Sequence, residues 1–296
     1  MCPLGIPLLI FNTSFVTPFS LNINGRLINY TSPVVMGILN ITPDSFFSGS
    51  RCSSRNDVME KVSAMIEQGV DIIDIGACST RPGSESVSAD EELHRLIPAI
   101  EALREVAPDI PLSVDTFRAS VARELVRNHT VNIINDISGG TLDSEMFATV
   151  AELKVPYVLM HMRGNPATMQ QFTDYGDRGV TATVLDELAA KLNELALMGV
   201  NDIIIDPGFG FSKTVEQNYT LMRDLEVFTH LRLPILVGIS RKSMITRPLG
   251  IDPSQALAAT TALNAFALDR GADILRVHDV REACQACAIY NNLHNS

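Results

Sequence analysis

Apolar residues along this chain fall into two alternating kinds of run, one short and continuous, the other longer and periodic. The short runs are VVMGIL (34–39), DIIDIG (71–76), PLSV (111–114), VNII (131–134), VPYVLM (155–160), DIII (202–205), PILVGI (234–239) and ADILRV (272–277). Each has the length of a β-strand, and a strand buried on both faces carries apolar residues without alternation. Helical spacing appears between them at 56–69, 89–106, 180–199 and 253–271. Ser or Asp often opens these stretches and Gly closes several, as helix ends require. The intervals after the third, fourth and seventh runs are short, and their boundaries are the least defined. Ahead of the first run, FSLNINGRLINY (19–30) places Asn24-Gly25 between two β-prone segments. Both residues tolerate positive φ, so a hairpin is predicted there.

Eight doubly buried strands alternating with helices predict an α/β chain folded as a (β/α)8 TIM barrel preceded by a short N-terminal β-hairpin. No GxGxxG turn follows the first strand, which weakens a dinucleotide-binding alternative. No linker, repeat or composition shift divides the chain, so one barrel domain is expected over 19–296. Residues 1–18 are expected to be a disordered or loosely docked leader. They are apolar enough to suggest a signal peptide, but the first basic residue is Arg26.

Composition narrows the function. A formal charge of -11 and the absence of a Lys/Arg block exclude a general attraction to nucleic acid, so an anionic substrate must meet a few placed cations. No apolar run reaches the ~18 residues of a membrane span, and no membrane partner is expected. The five cysteines, Cys2, Cys52, Cys78, Cys284 and Cys287, are odd in number and scattered, which fits free thiols in the cytoplasm rather than a disulfide framework.

In a parallel barrel the chemistry gathers at the carboxyl ends of the strands. Those ends carry Asn40, then Arg81 in the STRPG stretch, Asp115, Asn135-Asp136, His161, Asp206, Ser240-Arg241-Lys242-Ser243, and Arg276 with His278. Any one Asp or Asn there could simply cap the following helix. All eight ends together are poorly explained that way. Carboxylates and amides come from the third, fourth and sixth strands, cations from the second loop and the last two strands. This separation suits a neutral heterocycle with an anionic tail: Asp206 could accept two N–H bonds from an amino-pyrimidinone edge, while Arg81, Arg276 and His278 meet the anion.

The motifs at these ends resemble one family. MGILNITPDSF (36–46), DIGACSTRPG (74–83), SVDT (113–116), NDISGG (135–140), LMHMRGNPATMQ (159–170), IDPGFGFSKTVEQNY (205–219), GISRKSM (238–244) and RVHDV (276–280) resemble, in order, the signatures of dihydropteroate synthases. The resemblance implies a (β/α)8 barrel, usually a homodimer, that condenses 6-hydroxymethyl-7,8-dihydropterin pyrophosphate with p-aminobenzoate in folate synthesis and is a target of sulfonamides. It implies that the pterin is held by Asp115, Asn135, Met160, Asp206, Gly210, Phe211 and Lys242. Pyrophosphate would meet Asn40, Arg81, Arg276 and His278, with Mg2+ as cofactor at Asn40. The p-aminobenzoate site would use Thr80, Arg81, Pro82, Phe211 and Ser243. The chemistry is expected to be carried by Asp44, Arg81, Lys242, Arg276 and His278, through a dissociative substitution without a protein nucleophile.

The chain departs from the family pattern twice: Ser48 stands where an acidic residue is common, and Cys78 precedes STRPG where the family often has one. These are the hints of a catalytically silent pterin-binding relative. A corrinoid-type pterin methyltransferase shares the barrel but is opposed by STRPG, GISRKSM and RVHD. A lysine aldolase using Lys242 as a Schiff base is a third reading, opposed by the same GISRKSM segment. Cys284 and Cys287 form a CxxC without a second ligand pair, so no structural zinc is expected. His161, between two Met residues, reads as a hydrogen-bonded wall and is left out of catalysis.

Overall fold

The computed structural model describes residues 18–41, 54–77 and 87–294. A hairpin comes first, β1 (Phe19–Ile23) and β2 (Arg26–Tyr30), paired antiparallel with Ile23 opposite Arg26. Asn24 and Gly25 between them have φ of 53° and 76°, the two positive values a primed turn demands.

The barrel follows as β3 (Val34–Asn40), α1 (Arg55–Glu67), β4 (Ile72–Gly76), α2 (Ala89–Val106), β5 (Leu112–Asp115), α3 (Ala119–Asn128), β6 (Ile133–Asp136) and α4 (Met146–Leu153). It continues with β7 (Tyr157–Met160), α5 (Gly179–Leu197), β8 (Ile203–Asp206), α6 (Val215–Arg223), β9 (Leu236–Val237), α7 (Ser243–Leu249), α8 (Leu257–Asp269), β10 (Ile274–Val277) and α9 (Val280–His294). The parallel strands run in the order β8-β7-β6-β5-β4-β3-β10-β9. Between β8 and β9 the ring is reduced to one bridge, Ile205 with Ile235. The predicted barrel of eight strands and its hairpin are therefore both present, with one shortening: the run expected over 234–239 forms a ladder only at Leu236 and Val237. Pro234 lacks an N–H, and the Ile235 N–H is taken by the Asp273 side chain at 2.9 Å instead of a neighbouring strand.

Helix ends follow the sequence rules where side chains can act. Ser54 and Asp57 form a capping box on α1, and Thr214 with Gln217 forms one on α6. Gly250 closes α7 in the left-handed conformation. The helix expected from 253 begins at Leu257 because Pro253–Gln255 forms a 3-10 turn first.

Alternation along each strand divides the core in two. Residues such as Val35, Ile73, Val114, Ile134, Leu159, Ile205 and Leu275 pack outward against the helices. The inward set at the bottom of the barrel is Val34, Met36, Ile72, Ile133, Val158, Ile204, Leu236 and Ile274, closed from below by Leu21 and Ile23 of the hairpin. The hairpin is thus a stopper, and the turn is tied to the base of β6 by Asn132, whose Nδ2 donates to the Asn24 side chain at 2.8 Å. Moving two residues up replaces this aliphatic layer with a polar one on most of the strands.

Candidate active site

The upper layer follows from the same alternation. Ile72 gives way to Asp74, Ser113 to Asp115, Ile133 to Asn135, Val158 to Met160, Ile204 to Asp206 and Ile274 to Arg276. Two inward positions are glycines, and each makes room for a side chain. A methyl group at Gly76 would lie 3.3 Å from Asp115 Cβ, and one at Gly238 would lie 3.8 Å from Arg276 Cβ.

Arg276 binds this layer together. Its Nε donates to Asp74 Oδ2 at 2.6 Å and its Nη2 to Asp115 Oδ2 at 2.8 Å. Asn135 donates to the same Asp74 oxygen at 3.0 Å. Nη1 of Arg276 keeps its hydrogens without a protein acceptor among the described residues. Burial opposes the guanidinium charge, but Asp74 and Asp115 outweigh it and raise the pKa further. Burial also pushes Asp115 up to about 7, against the pull of Arg276 and with repulsion from Asp74. Asp206, with its Oδ1 accepting from the Gly208 N–H at 2.7 Å, is raised by burial too, while Lys242 draws it down.

Lys242 caps the layer. Its ammonium donates to the Phe209 carbonyl at 2.6 Å and lies 4.6 Å from the centre of the Phe211 ring, a cation–π contact. Its stem lies against Gly210, where a Cβ would meet Lys242 Cδ at 3.0 Å. Burial brings its pKa down to about 8, with Asp206 opposing. Beside this charged ring stands an apolar wall of Ile137, Met160, Met162, Met169 and Phe211. The pairing of the two suits the chemistry of a flat heterocycle with a hydrogen-bonding edge, since aromatic faces seek apolar surface and buried carboxylates seek N–H donors.

Of the residues picked out in the sequence, Asp115, Asn135, Met160, Asp206, Gly210, Phe211, Lys242 and Arg276 are gathered here. His278 lies one layer higher on β10's exit, its Nδ1 3.0 Å from Ser240 Oγ. Ser243 opens α7 and is exposed, and Asn40 ends β3 half-buried. Asp44, Ser48, Cys78, Thr80, Arg81 and Pro82 lie outside the described residues. Two neighbours turn away from the cleft. Asp136 accepts from Ser138 and Gly140 backbone N–H groups and from Tyr157 OH at 2.8 Å, the capping role that any strand-end Asp can have. Arg241 pairs with Asp279 at 2.5 Å.

Asp74 was not singled out from the sequence, although it is fully buried and shares Arg276 with Asp115. Its signal was a lone carboxylate inside an otherwise apolar strand, IIDIG, with the parity of the lumen. His161 is buried as a wall residue, bonded to Glu187 at 2.8 Å and Lys213 at 3.1 Å.

The model of the pterin binding enzyme family matches residues 36–278. The dihydropteroate synthase of Synechocystis is 47% identical over 262 residues, covering 88% of this chain and 89% of that protein. That of Escherichia coli is 41% identical over 270 residues, covering 90% and 93%. The chain belongs to the dihydropteroate synthase family. Solved dihydropteroate synthases share its shape. The Yersinia pestis enzyme, in complex with a sulfonamide drug, superposes with a TM-score of 0.87 at 36% identity, covering 94% of this chain and all (100%) of that one. The Xanthomonas albilineans dihydropteroate synthase with 4-aminobenzoic acid gives 0.85 at 36% identity, covering 95% and 100%. As in the sequence, the described parts of the family's motifs fall at the strand ends that form the polar layer.

Proposed function

We propose that the chain condenses 6-hydroxymethyl-7,8-dihydropterin pyrophosphate with p-aminobenzoate, giving 7,8-dihydropteroate and pyrophosphate, and that sulfonamides compete for the p-aminobenzoate position. The observation that carries the residue assignment is the Asp206–Asp115–Asn135 edge, buried at Asp206 and Asn135 and partly exposed at Asp115, which faces an apolar wall and is tied by Arg276.

In this reading Asp206 accepts from the amino-pyrimidinone N–H groups, Lys242 meets the ring, and Met160 and Phe211 cover its faces. The C–O bond to the diphosphate breaks early, leaving positive charge on the pterin methylene and its ring. Asp74 and Asp115 are carboxyl partners already in place for that charge, and fixed dipoles and charges act strongly in a buried site. Arg276 and His278, with Arg81, receive the diphosphate. The aryl amine then forms the C–N bond and gives up a proton. Thr80, Pro82 and Ser243 complete the p-aminobenzoate site, and Asp44 acts from the first loop.

The described residues hold no group of three His, Cys, Asp or Glu side chains suited to a metal. A magnesium ion carried by a diphosphate needs only one or two protein oxygens. Asn40 fits that need: its amide stands at a strand end without a hydrogen-bond partner among the described residues. Bound there, Mg2+ would neutralise charge on the leaving group. A homodimer and a cytoplasmic location complete the reading, the first from the family resemblance and the second from free thiols such as Cys284 and Cys287. No described helix is long and apolar enough to cross a membrane.

The test is Mg2+-dependent pyrophosphate release from the pterin substrate, with and without p-aminobenzoate, beside Asp206→Ala. Turnover that yields dihydropteroate only with p-aminobenzoate, and is lost in Asp206→Ala, is expected. Pterin binding without turnover would leave a silent relative.

A further inference from the structure

The segment between Asp206 and Lys213 carries two of the residues assigned to the pterin, and its backbone is irregular. Gly208, Gly210 and Ser212 all have positive φ, of 75°, 83° and 48°. Such a loop has few regular hydrogen bonds; beyond the short ones from Gly208 N–H to Asp206 and Phe211 N–H to Gly208 O, its shape depends on side chains that reach its carbonyls. The Phe209 carbonyl is taken by Lys242 from the site itself. The Gly208 and Phe211 carbonyls are taken by a second lysine that the reaction does not use. Lys213 is 3% exposed, and its ammonium donates to Gly208 O at 2.9 Å and Phe211 O at 3.0 Å, with His161 Nδ1 at 3.1 Å. Three acceptors use all three ammonium hydrogens.

This arrangement fixes the histidine as well. With Nδ1 accepting from Lys213, the His161 Nε2–H donates to Glu187 at 2.8 Å. Glu187 is also held by Arg163, and it lines an open groove of about 790 Å³ with Arg163, Lys191 and Phe172. A chain of hydrogen bonds therefore runs from the loop under the pterin site, through the end of β7, to a carboxylate that solvent can reach.

We infer that Lys213 is a positioning residue of the pterin site: its ammonium sets the 206–213 loop so that Asp206 and Phe211 meet the ring, with His161 and Glu187 holding that ammonium in place. The inference rests on the pterin reading above. A hydrocarbon at this position would leave the His161 Nδ1 unpaired, and an unpaired buried group is costly. It would also take the ammonium from two carbonyls, leaving Gly208 O with the Phe211 N–H at 3.2 Å and Phe211 O with the Ser212 hydroxyl at 2.8 Å. The charges facing the ammonium come from four elements. Burial brings its pKa down to about 7; Asp206 on β8 and Glu187 on α5 raise it, while Lys242 at the start of α7 and Arg163 after β7 lower it. His161 is itself brought down to about 4 by burial and by Lys213, so it faces the lysine as a neutral acceptor. The ammonium is thus lost as pH rises through neutrality, and the hold on the loop weakens with it.

The experiment is calorimetric titration of the full chain with 6-hydroxymethylpterin between pH 6 and 9, for wild type, Lys213→Met and Glu187→Gln. Wild type is measured first, because absence of pterin binding there would refute the functional reading and not this inference. Lys213→Met is expected to weaken pterin binding at least about tenfold at pH 6.5, with the KM for p-aminobenzoate within about threefold of wild type. Glu187→Gln removes an anion that favours the ammonium, so its pterin affinity should fall off at lower pH than wild type's. Lys242, which has no bond to Glu187, cannot produce that displacement, and comparison at each pH cancels the ligand's own titration. A folded Lys213→Met protein with wild-type pterin affinity would overturn the inference. If that variant does not fold, an alkaline limb unmoved in Glu187→Gln would do the same.

Discussion

Asp115 shows what the polar layer costs. It lies beside Arg276, yet burial and the nearby Asp74 hold its pKa at about 7, well above the usual carboxylate range. A carboxyl whose pKa is raised by folding favours the native state when protonated, so this contribution is full below about pH 4 and is lost as pH rises through about 7. Asp115→Asn has no such dependence. The melting temperature of the variant relative to wild type is therefore expected to climb between pH 5 and pH 8, measured by calorimetry on the unliganded chain, while its pterin affinity falls. A difference that is flat with pH would show that Asp115 is already ionised throughout.

Gly208 is constrained in the opposite sense, by space. Its φ is 75°, and a Cβ there would sit 1.9 Å from the carbonyl oxygen of His161. Gly208→Ala must move the loop or the end of β7, and a loss of about 1–3 kcal/mol or more is expected in urea unfolding, with pterin binding weakened in whatever folded protein remains. Among single residues, those at strand ends were legible because topology alone places them: Asp206, Asn135 and Arg276 needed only the strand count. Asp74 and Lys213 were not. Asp74 lies below the strand end, where its role depends on lumen parity. Lys213 has the sequence setting of a solvated loop lysine, and only the fold brings it the His161 nitrogen and the turned-in carbonyls that bury it.

At the level of elements, the long helices were readable because 13 to 19 residues of periodic pattern leave little room for error. The helices α3, α4 and α7 are 10, 8 and 7 residues long, two or three turns whose apolar positions fit several periods. Strand β9 was overextended because sequence pattern reports burial, whereas a ladder also needs an N–H that Pro234 lacks. The hairpin was read correctly from its turn, but its purpose was not, since nothing local says that Leu21 and Ile23 enter the barrel. They are 1% and 6% exposed against the inner aliphatic layer. Leu21→Ala and Ile23→Ala are each expected to cost about 2–5 kcal/mol in denaturant unfolding. Pterin affinity should stay within about threefold, because a complete side-chain layer separates the stopper from the site. A large loss of affinity at unchanged stability would mean that the hairpin acts on the site directly.

Over the whole molecule, one residue type serves two ends of the barrel differently. At the amino ends of the strands, Asp71 and Asp273 accept backbone N–H groups of Val35 and Ile235 at 2.8 and 2.9 Å, which completes the sheet. At the carboxyl ends Asp74, Asp115 and Asp206 are gathered around Arg276 and Lys242, where no sheet bond needs them. The barrel class and the site's location were legible because both follow from the order of strands; the first and second loops, with Asp44 and Arg81, lie outside the described residues.

The stopper at the bottom has a consequence for timing. A vessel closed at one end fills and empties through the same mouth. A ligand seated against Asp206 must enter before anything lying above it, and can leave only after that upper occupant has gone. On the proposed reading, ordered addition with the heterocycle first in is then a property of the container's shape.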